Sequence, residues 1–262
     1  MRLIRILALG DVVGTYAAQH LAANLYKIRE KVAADFTVVN VENTAAGSGN
    51  GTDTASARAL LAGGADVLTG GNHTFSKREY HAFLEQEPRA LRPANLPGEC
   101  PGEGYTVVSA AGVRILCINL LGRVYMQPNA NCPFAAADAI LHREEGKYDL
   151  AVVDMHAEAT AERIAMGRYL DGKAAVVFGT HTHVQTADKT ILPHGTGYLT
   201  DLGMCGGEGT ILGMDPEPII ERFRTQLPAK FSVSPRPITV QGALFTVDAD
   251  TGCTTDVETV SI

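Results

Sequence analysis

Two short stretches decide the reading of the fold: LAVVDMH at residues 150–156 and AAVVFGTHTH at residues 174–183. Each begins as an unbroken apolar run and ends in polar residues, Asp154-Met155-His156 in the first and Gly179-Thr180-His181-Thr182-His183 in the second. Alternating apolar and polar residues would mark a strand with one wet face. An unbroken run marks a strand covered on both faces, as in a parallel sheet with crossover helices. Residues 161–170 between the two runs read as such a helix.

The same unit recurs upstream. Residues 4–9 form an apolar run that ends in Gly10-Asp11, and residues 16–32 follow with Leu21, Leu25, Ile28 and Val32 at helical spacing. Residues 36–41 run into Glu42-Asn43, with a helix over 54–61. Residues 67–69 run into Gly70-Gly71-Asn72-His73, with a helix over 77–85. A further strand is predicted over 114–120 and a helix over 135–145. The last third changes character: 190–192, 197–200, 231–233, 242–247 and 255–262 are short, divided by Pro, Gly and Asp, and read as antiparallel strands with one helix over 218–226. Segments 88–104, 122–133 and 203–218 are Pro/Gly-rich and read as long loops. The expectation is an α/β fold, with mixed, largely parallel β-sheets flanked by helices and antiparallel strands in the C-terminal third. With no linker or repeat in sight, residues 1–262 read as a single domain.

Composition narrows the function. The chain has 262 residues, of which 45% are hydrophobic and 19% charged, enough for a sizeable core, and its net charge is −7. An acidic chain does not grip nucleic acid through a broad basic surface, although bound cations can make one pocket locally positive. The five cysteines (Cys100, Cys117, Cys132, Cys205, Cys253) are scattered and never form CxxC, which suits reduced thiols rather than a disulfide framework. The apolar run near the N-terminus is too short for a signal peptide, and no stretch approaches the ~18 residues of a membrane span. The chain is expected in the cytoplasm, free of membrane, and a homo-oligomer is left open.

Five strand ends deliver a carboxylate, carboxamide or imidazole to one edge, the carboxyl edge at which open α/β sheets bind ligands. Taken singly, each has a plain explanation. An Asp after a strand is ordinarily a turn or capping residue, and a lone strand-end His ordinarily has a structural partner. Five coincidences on one edge point instead to a metal site. His181 and His183, two apart, can face it together if the segment is extended. Asp, Glu, Asn and His without Cys form an N/O donor set suited to Fe, Mn or Zn. The candidates Asp11, Glu42, Asn43, Asn72, His156, His181 and His183 are too many for one ion with an open position. Two ions sharing a bridging carboxylate, most naturally Glu42, would use them, and paired ions are a common device for phosphoryl hydrolysis.

With Gly10-Asp11, Gly71-Asn72-His73, a lone His156 after a strand and Gly179–His183, the chain resembles the calcineurin-like metallophosphoesterases. VEN at 41–43, RPAN at 92–95, HAEAT at 156–160, THTHVQTAD at 180–188 and LGMD at 212–215 extend the resemblance to the YmdB-like bacterial subgroup over nearly the whole length. The general superfamily opens with Asp-x-His, whereas this chain has Asp11-Val12-Val13. The usual bridging Asp is replaced by Glu42, and Asn43 stands in for the missing imidazole. The resemblance implies a layered sandwich with one metal held by Asp11, Glu42, Asn43 and His183, and a second held by Glu42, Asn72, His156 and His181. It also implies a di-iron or related centre, so Fe is favoured over Mn or Zn, and a 2′,3′-cyclic nucleotide as substrate.

The corresponding mechanism has a hydroxide bridging two metals attack phosphorus while His73, beside Asn72, protonates the leaving alkoxide as general acid. The glycine-rich segment 47–51 reads as a connecting loop, since it lacks a P-loop ending. Arg123 reads as an exposed loop residue. Competing readings are another two-metal phosphatase or nucleotidase, a regulatory RNA- or protein-binding protein that retains the metal site, and a dinucleotide binder. The missing G-x-G-x-x-G disfavours the last.

Overall fold

In the computed structural model, which describes residues 2–47 and 49–262, the chain opens with β1 (Leu3–Leu9), β2 (Asp11–Val12), α1 (Gly14–Val32), β3 (Phe36–Asn40), α2 (Thr54–Ala62), β4 (Val67–Thr69) and α3 (Arg78–Gln86). It continues through β5 (Tyr105–Ala110), β6 (Val113–Leu121), α4 (Pro133–Arg143), β7 (Leu150–His156), α5 (Thr160–Tyr169) and β8 (Val176–Thr180). The last elements are β9 (Thr190–Ile191), β10 (Gly197–Leu199), β11 (Met204–Gly207), α6 (Pro216–Thr225), β12 (Ile238–Asp248) and β13 (Cys253–Ser261). Ser48, in the glycine-rich segment 47–51, lies outside the described residues.

The strands form two sheets. One runs β2-β11-β12-β1-β3-β4, with β13 paired to β12; the other runs β5-β6-β7-β8-β10-β9. Within the first, β1, β3 and β4 are parallel, and within the second β6, β7, β8 and β10 are parallel. The period of two along each strand sorts its side chains between an outer and an inner face. Leu7, Leu9, Val39 and Leu68 pack outward against α1, α2 and α3 through Leu21, Leu25, Leu60 and Tyr80. Leu116, Ile118, Val153 and Met155 pack outward on the second sheet against Ala137, Ile140 and Met166 of α4 and α5. Between the sheets lie Ile4, Ile6, Phe36, Val38, Val67, Ile115, Cys117, Leu150, Val152, Val176, Phe178 and Phe245. The result is helix, sheet, sheet, helix, with the core in three layers.

Several expectations need correction. The predicted donors do not lie on the edge of one sheet; they come from the facing edges of two. β10, read as antiparallel, joins its sheet parallel to β8, because the chain crosses back after β9. Segment 231–233 forms only an isolated bridge, Met214 to Val233, and 203–218 contains β11, whose Met-Cys-Gly-Gly sequence carries no apolar run. β5 was hidden for a different reason: it is an edge strand, half exposed along its length. Among the described residues no helix is long and apolar enough to cross a membrane.

Phe178 of β8 and Phe245 of β12 stack across the inter-sheet layer with ring centroids 6.5 Å apart. Both are fully buried, so Phe178→Ala is expected to cost about 3–5 kcal/mol by leaving a cavity between the sheets. Denaturant unfolding of the metal-free chain measures this as a lower midpoint at unchanged slope.

Candidate metal centre

At the carboxyl ends of the strands the inter-sheet layer turns from apolar to polar. On β3 the inward series Phe36, Val38 ends in Asn40; on β4, Val67 gives way to Thr69. On the other sheet Ile115 and Cys117 lead to Asn119, Leu150 and Val152 lead to Asp154, and Val176 and Phe178 lead to Thr180. All five polar residues are buried. Thr69 donates to Asp154 Oδ2 at 2.5 Å, Asn40 Nδ2 donates to the same oxygen at 3.1 Å, and Thr180 donates to Oδ1 at 2.7 Å. Gly70 N–H donates to Asn119 Oδ1 at 3.0 Å. These bonds tie one sheet to the other directly beneath the predicted ligands.

Above that layer the seven predicted ligands converge. Glu42 Oε1 lies 3.0 Å from His156 Nε2, which also lies 3.1 Å from Asn72 Oδ1 and 3.1 Å from His181 Nδ1. Donor atoms of Glu42, His156 and His181 all fall within 4.8 Å of one another, close enough to share a cation. Beside them, His183 Nε2 lies 3.3 Å from Asn43 Oδ1 and 3.8 Å from Asp11 Oδ1, and His156 Nδ1 lies 3.9 Å from that same Asp11 oxygen. The geometry thus groups Glu42, Asn72, His156 and His181 on one side and Asp11, Asn43 and His183 on the other. His73 borders the first group: its backbone N–H donates to Glu42 Oε2 at 3.1 Å and its ring Nε2 is 3.3 Å from Asn72 Nδ2. Arg123 is exposed, and its backbone N–H donates to Glu162 Oε1 at 3.0 Å.

The local sequence explains the convergence. After β1 the chain must pass close to β11, and a Cβ on Gly10 would fall 2.0 Å from Gly203 O. β2 then pairs parallel with β11, and Asp11 faces the site. A Cβ on Gly71 would lie 2.2 Å from Glu42 Oε2 and 2.3 Å from His156 Nε2, so only glycine lets the chain before Asn72 pass so near these donors. His181 and His183 reach the site in another way than an extended segment would give. Their φ values are 105° and 62°, so a tight bend aims both rings inward. Such conformations cost about 1–3 kcal/mol each and need support. Asp201 supplies it, accepting from Thr182 N–H at 3.1 Å and Thr182 Oγ1 at 2.6 Å, and is itself paired with the buried guanidinium of Arg163.

Each imidazole is also held on its outer nitrogen. His156 Nδ1 meets Thr180 Oγ1 at 2.9 Å, His181 Nε2 meets Glu158 at 3.1 Å, and His183 Nδ1 meets the Leu212 carbonyl at 3.3 Å. Oriented imidazoles of this kind are the usual surroundings of a metal ligand. Asp154, Asn40, Thr180, Glu158, Asp201 and Arg163 are absent from the ligand set read from sequence. Asp154 alone left a clear trace, as a charge at the end of an otherwise apolar strand, two residues before His156 and on its face.

The electrostatics call for positive charge. Burial raises the Asp11 carboxyl, which the more distant histidines only partly offset, and its Oδ1 is buried with no hydrogen-bond partner among the described residues. Burial also works against the Glu42 charge, but close contact with His156 overrides it and holds the group at about 2. His156 resists protonation through burial, yet Glu42, Asp11 and Asp154 push it up to about 9. Burial and the facing His156 push His181 down to about 3, so it stays neutral with a lone pair available. A buried, unpartnered carboxylate oxygen amid neutral imidazole and carboxamide donors fits divalent cations, whose charge would replace the proton on His156.

An α/β sandwich whose two sheets deliver Asp, Glu, Asn and His to one buried cluster is the architecture of the calcineurin-like phosphoesterases. Within that class the assignment is narrower. The model of the family described as YmdB-like protein matches residues 7–260, and the chain belongs to that family. It is 42% identical over 259 residues to the 2′,3′-cyclic-nucleotide 2′-phosphodiesterase of Bacillus subtilis, covering 99% of this chain and 97% of the relative. It superposes with a TM-score of 0.91 on a protein from Mycoplasma pneumoniae described as a novel phosphatase, at 34% identity, covering 100% of this chain and 94% of the other. A hypothetical protein from Thermus thermophilus gives a TM-score of 0.90 at 35% identity, with 99% of both chains covered.

Gly71→Ala tests the cluster without altering any ligand. The methyl group would displace Glu42 and His156, so elemental analysis of the purified variant should find much less bound transition metal than in the parent, while far-ultraviolet dichroism keeps its shape.

Proposed function

We propose that the chain is a metal-dependent phosphodiesterase that opens 2′,3′-cyclic nucleotides, acting as one unit in the cytoplasm. The observation that carries the reading is the buried, unpartnered Asp11 Oδ1 within a shell of oriented imidazole, carboxylate and carboxamide donors. The relative in Bacillus subtilis, matched end to end, supports the substrate class. Asp11, Glu42, Asn43 and His183 would hold one ion and Glu42, Asn72, His156 and His181 a second, with Glu42 shared. Fe is the favoured metal, and Mn or Zn suit the same N/O set. When bound, the ions supply an acidified water and neutralise charge on the phosphoryl oxygens.

The chain's own residues do the rest. The Glu42, Asn72 and His156 contacts fix the reacting edge of the site, and burial keeps bulk water from the carboxylates. Asn72 holds the His73 ring beside the cluster, where His73 serves as general acid. The oxygen of a water adds to phosphorus and releases one proton to solvent, the bond from phosphorus to the ribose 2′ oxygen breaks, the His73 proton ends on that oxygen, and His73 regains a proton from solvent. The products are a 2′-hydroxyl and a 3′-phosphate.

Three measurements test this reading. Chelation should abolish hydrolysis of 2′,3′-cyclic nucleotides and Fe, Mn or Zn should restore it. In a panel with mononucleotides and phosphopeptides, the cyclic nucleotide should give the highest kcat/KM; a phosphomonoester in that place would instead make the chain a phosphatase. His73→Ala should slow cyclic nucleotides by about 10²–10⁴-fold, the usual worth of a general acid. It should slow nitrophenyl esters far less, because their leaving group needs no proton. Equal loss on both substrates would remove His73 from that role.

A further inference from the structure

We propose that Asp154, which contributes nothing to the predicted ligand set, is a positioning residue that sets the orientation of donors on both sheets at once and thereby the affinity of the site for its metal. The proposal rests on the reading of Glu42 and His156 as ligands.

The bonds form a forced chain. An ionised carboxylate only accepts hydrogen bonds. Thr180 has one hydroxyl hydrogen, and at 2.7 Å it goes to Asp154 Oδ1. Thr180 Oγ1 is then left as an acceptor toward His156 Nδ1 at 2.9 Å, so the ring hydrogen sits on Nδ1. Once a cation replaces the second ring proton, the Nε2 lone pair is the one that faces it, beside Glu42 Oε1, Asn72 Oδ1 and His181 Nδ1. The other oxygen acts on the opposite sheet. Asp154 Oδ2 accepts from Asn40 Nδ2 at 3.1 Å, which fixes the Asn40 carboxamide so that its Oδ1 accepts from Glu42 N–H at 3.2 Å. One buried carboxylate therefore chooses the His156 tautomer and seats the backbone of Glu42.

A carboxylate that merely clasps the sheets would show the same burial and the same Thr69 bond. The two roles separate by comparing its two hydroxyl partners. Thr180→Val removes the link to His156, whereas Thr69→Val removes a bond to the same carboxylate of comparable length but touches no predicted ligand. Each full-length chain is chelated and titrated calorimetrically with Mn²⁺, with thermal unfolding of the metal-free form recorded beside it.

Thr180→Val should weaken Mn²⁺ binding by ~10–100-fold, the usual effect of losing a partner that orients a ligand. Thr180→Ser, which keeps the hydroxyl, should restore parental affinity, and Thr69→Val should lower stability while leaving affinity unchanged. Parental affinity in Thr180→Val, or an equal loss in Thr69→Val, overturns the proposal. If Thr180→Val does not fold, nitrogen NMR of the Zn²⁺-loaded parent decides: a protonated His156 Nδ1 supports the chain of bonds and a bare Nδ1 overturns it. A parent that binds no Mn²⁺ overturns the reading of the site, and this proposal with it.

Discussion

The structure depends on a buried carboxylate placed between two sheets. Asp154 is 1% exposed, and burial raises its carboxyl to about 6. A charge in such a place costs several kcal/mol unless its lone pairs are filled. Here they are filled by Thr69 and Asn40 from one sheet and Thr180 from the other. The hydrophobic driving force that joins the two sheets is itself non-directional. The bonds at the upper end of the apolar layer are directional. Glu42 and Asn72 follow strands of one sheet, whereas His156 ends β7 and His181 and His183 follow β8 of the other, so the register between the sheets also sets how these donors meet.

The charges of the cluster make the same point from another side. Its carboxylates are buried in a chain whose net charge is −7, and the positive neighbours that act on Asp11 and Glu42 are histidines. His156 answers by holding a proton against both Glu42 and Asp11, and still leaves one Asp11 oxygen without a hydrogen bond among the described residues. A shell arranged this way prefers a multivalent cation to a proton, since one ion can satisfy several oxygens and nitrogens that a single proton cannot. A bound cation would create the positive pocket that an anionic substrate needs, so the acidic composition is no obstacle to phosphate chemistry.

How much of this is legible in the sequence follows from the range of each interaction. Strands buried on both faces declare themselves as unbroken apolar runs, and so the run before Asp154 and that before Gly179 are readable with their polar ends. A strand on a sheet edge, such as β5, or one built of glycine, such as β11, leaves no such mark. Which sheet a strand joins is decided by its pairing with segments distant in sequence, β1 and β4 for β3 and β6 and β8 for β7, and nothing local in residues 36–40 or 150–156 separates them into two sheets. The donors are readable because chemistry limits which residues can ligate. Their supports are ordinary Thr, Asn and Asp residues whose role appears only when β3, β4, β7 and β8 are brought together.

The His181-Thr182-His183 segment shows why those supports are needed. An extended strand would also send two alternate imidazoles to one side, but in parallel directions. The observed bend, with both histidines at positive φ, instead directs His181 to His156 and His183 to Asn43 and Asp11. One short segment therefore supplies both halves of the cluster. The strain is met by Asp201, which gathers the Thr182 amide and hydroxyl, and Asp201 is in turn neutralised by Arg163 from the helix following β7. Because that helix begins beside Glu158, the partner of His181 Nε2, the same turn of chain after His156 braces both the bend and one of its rings.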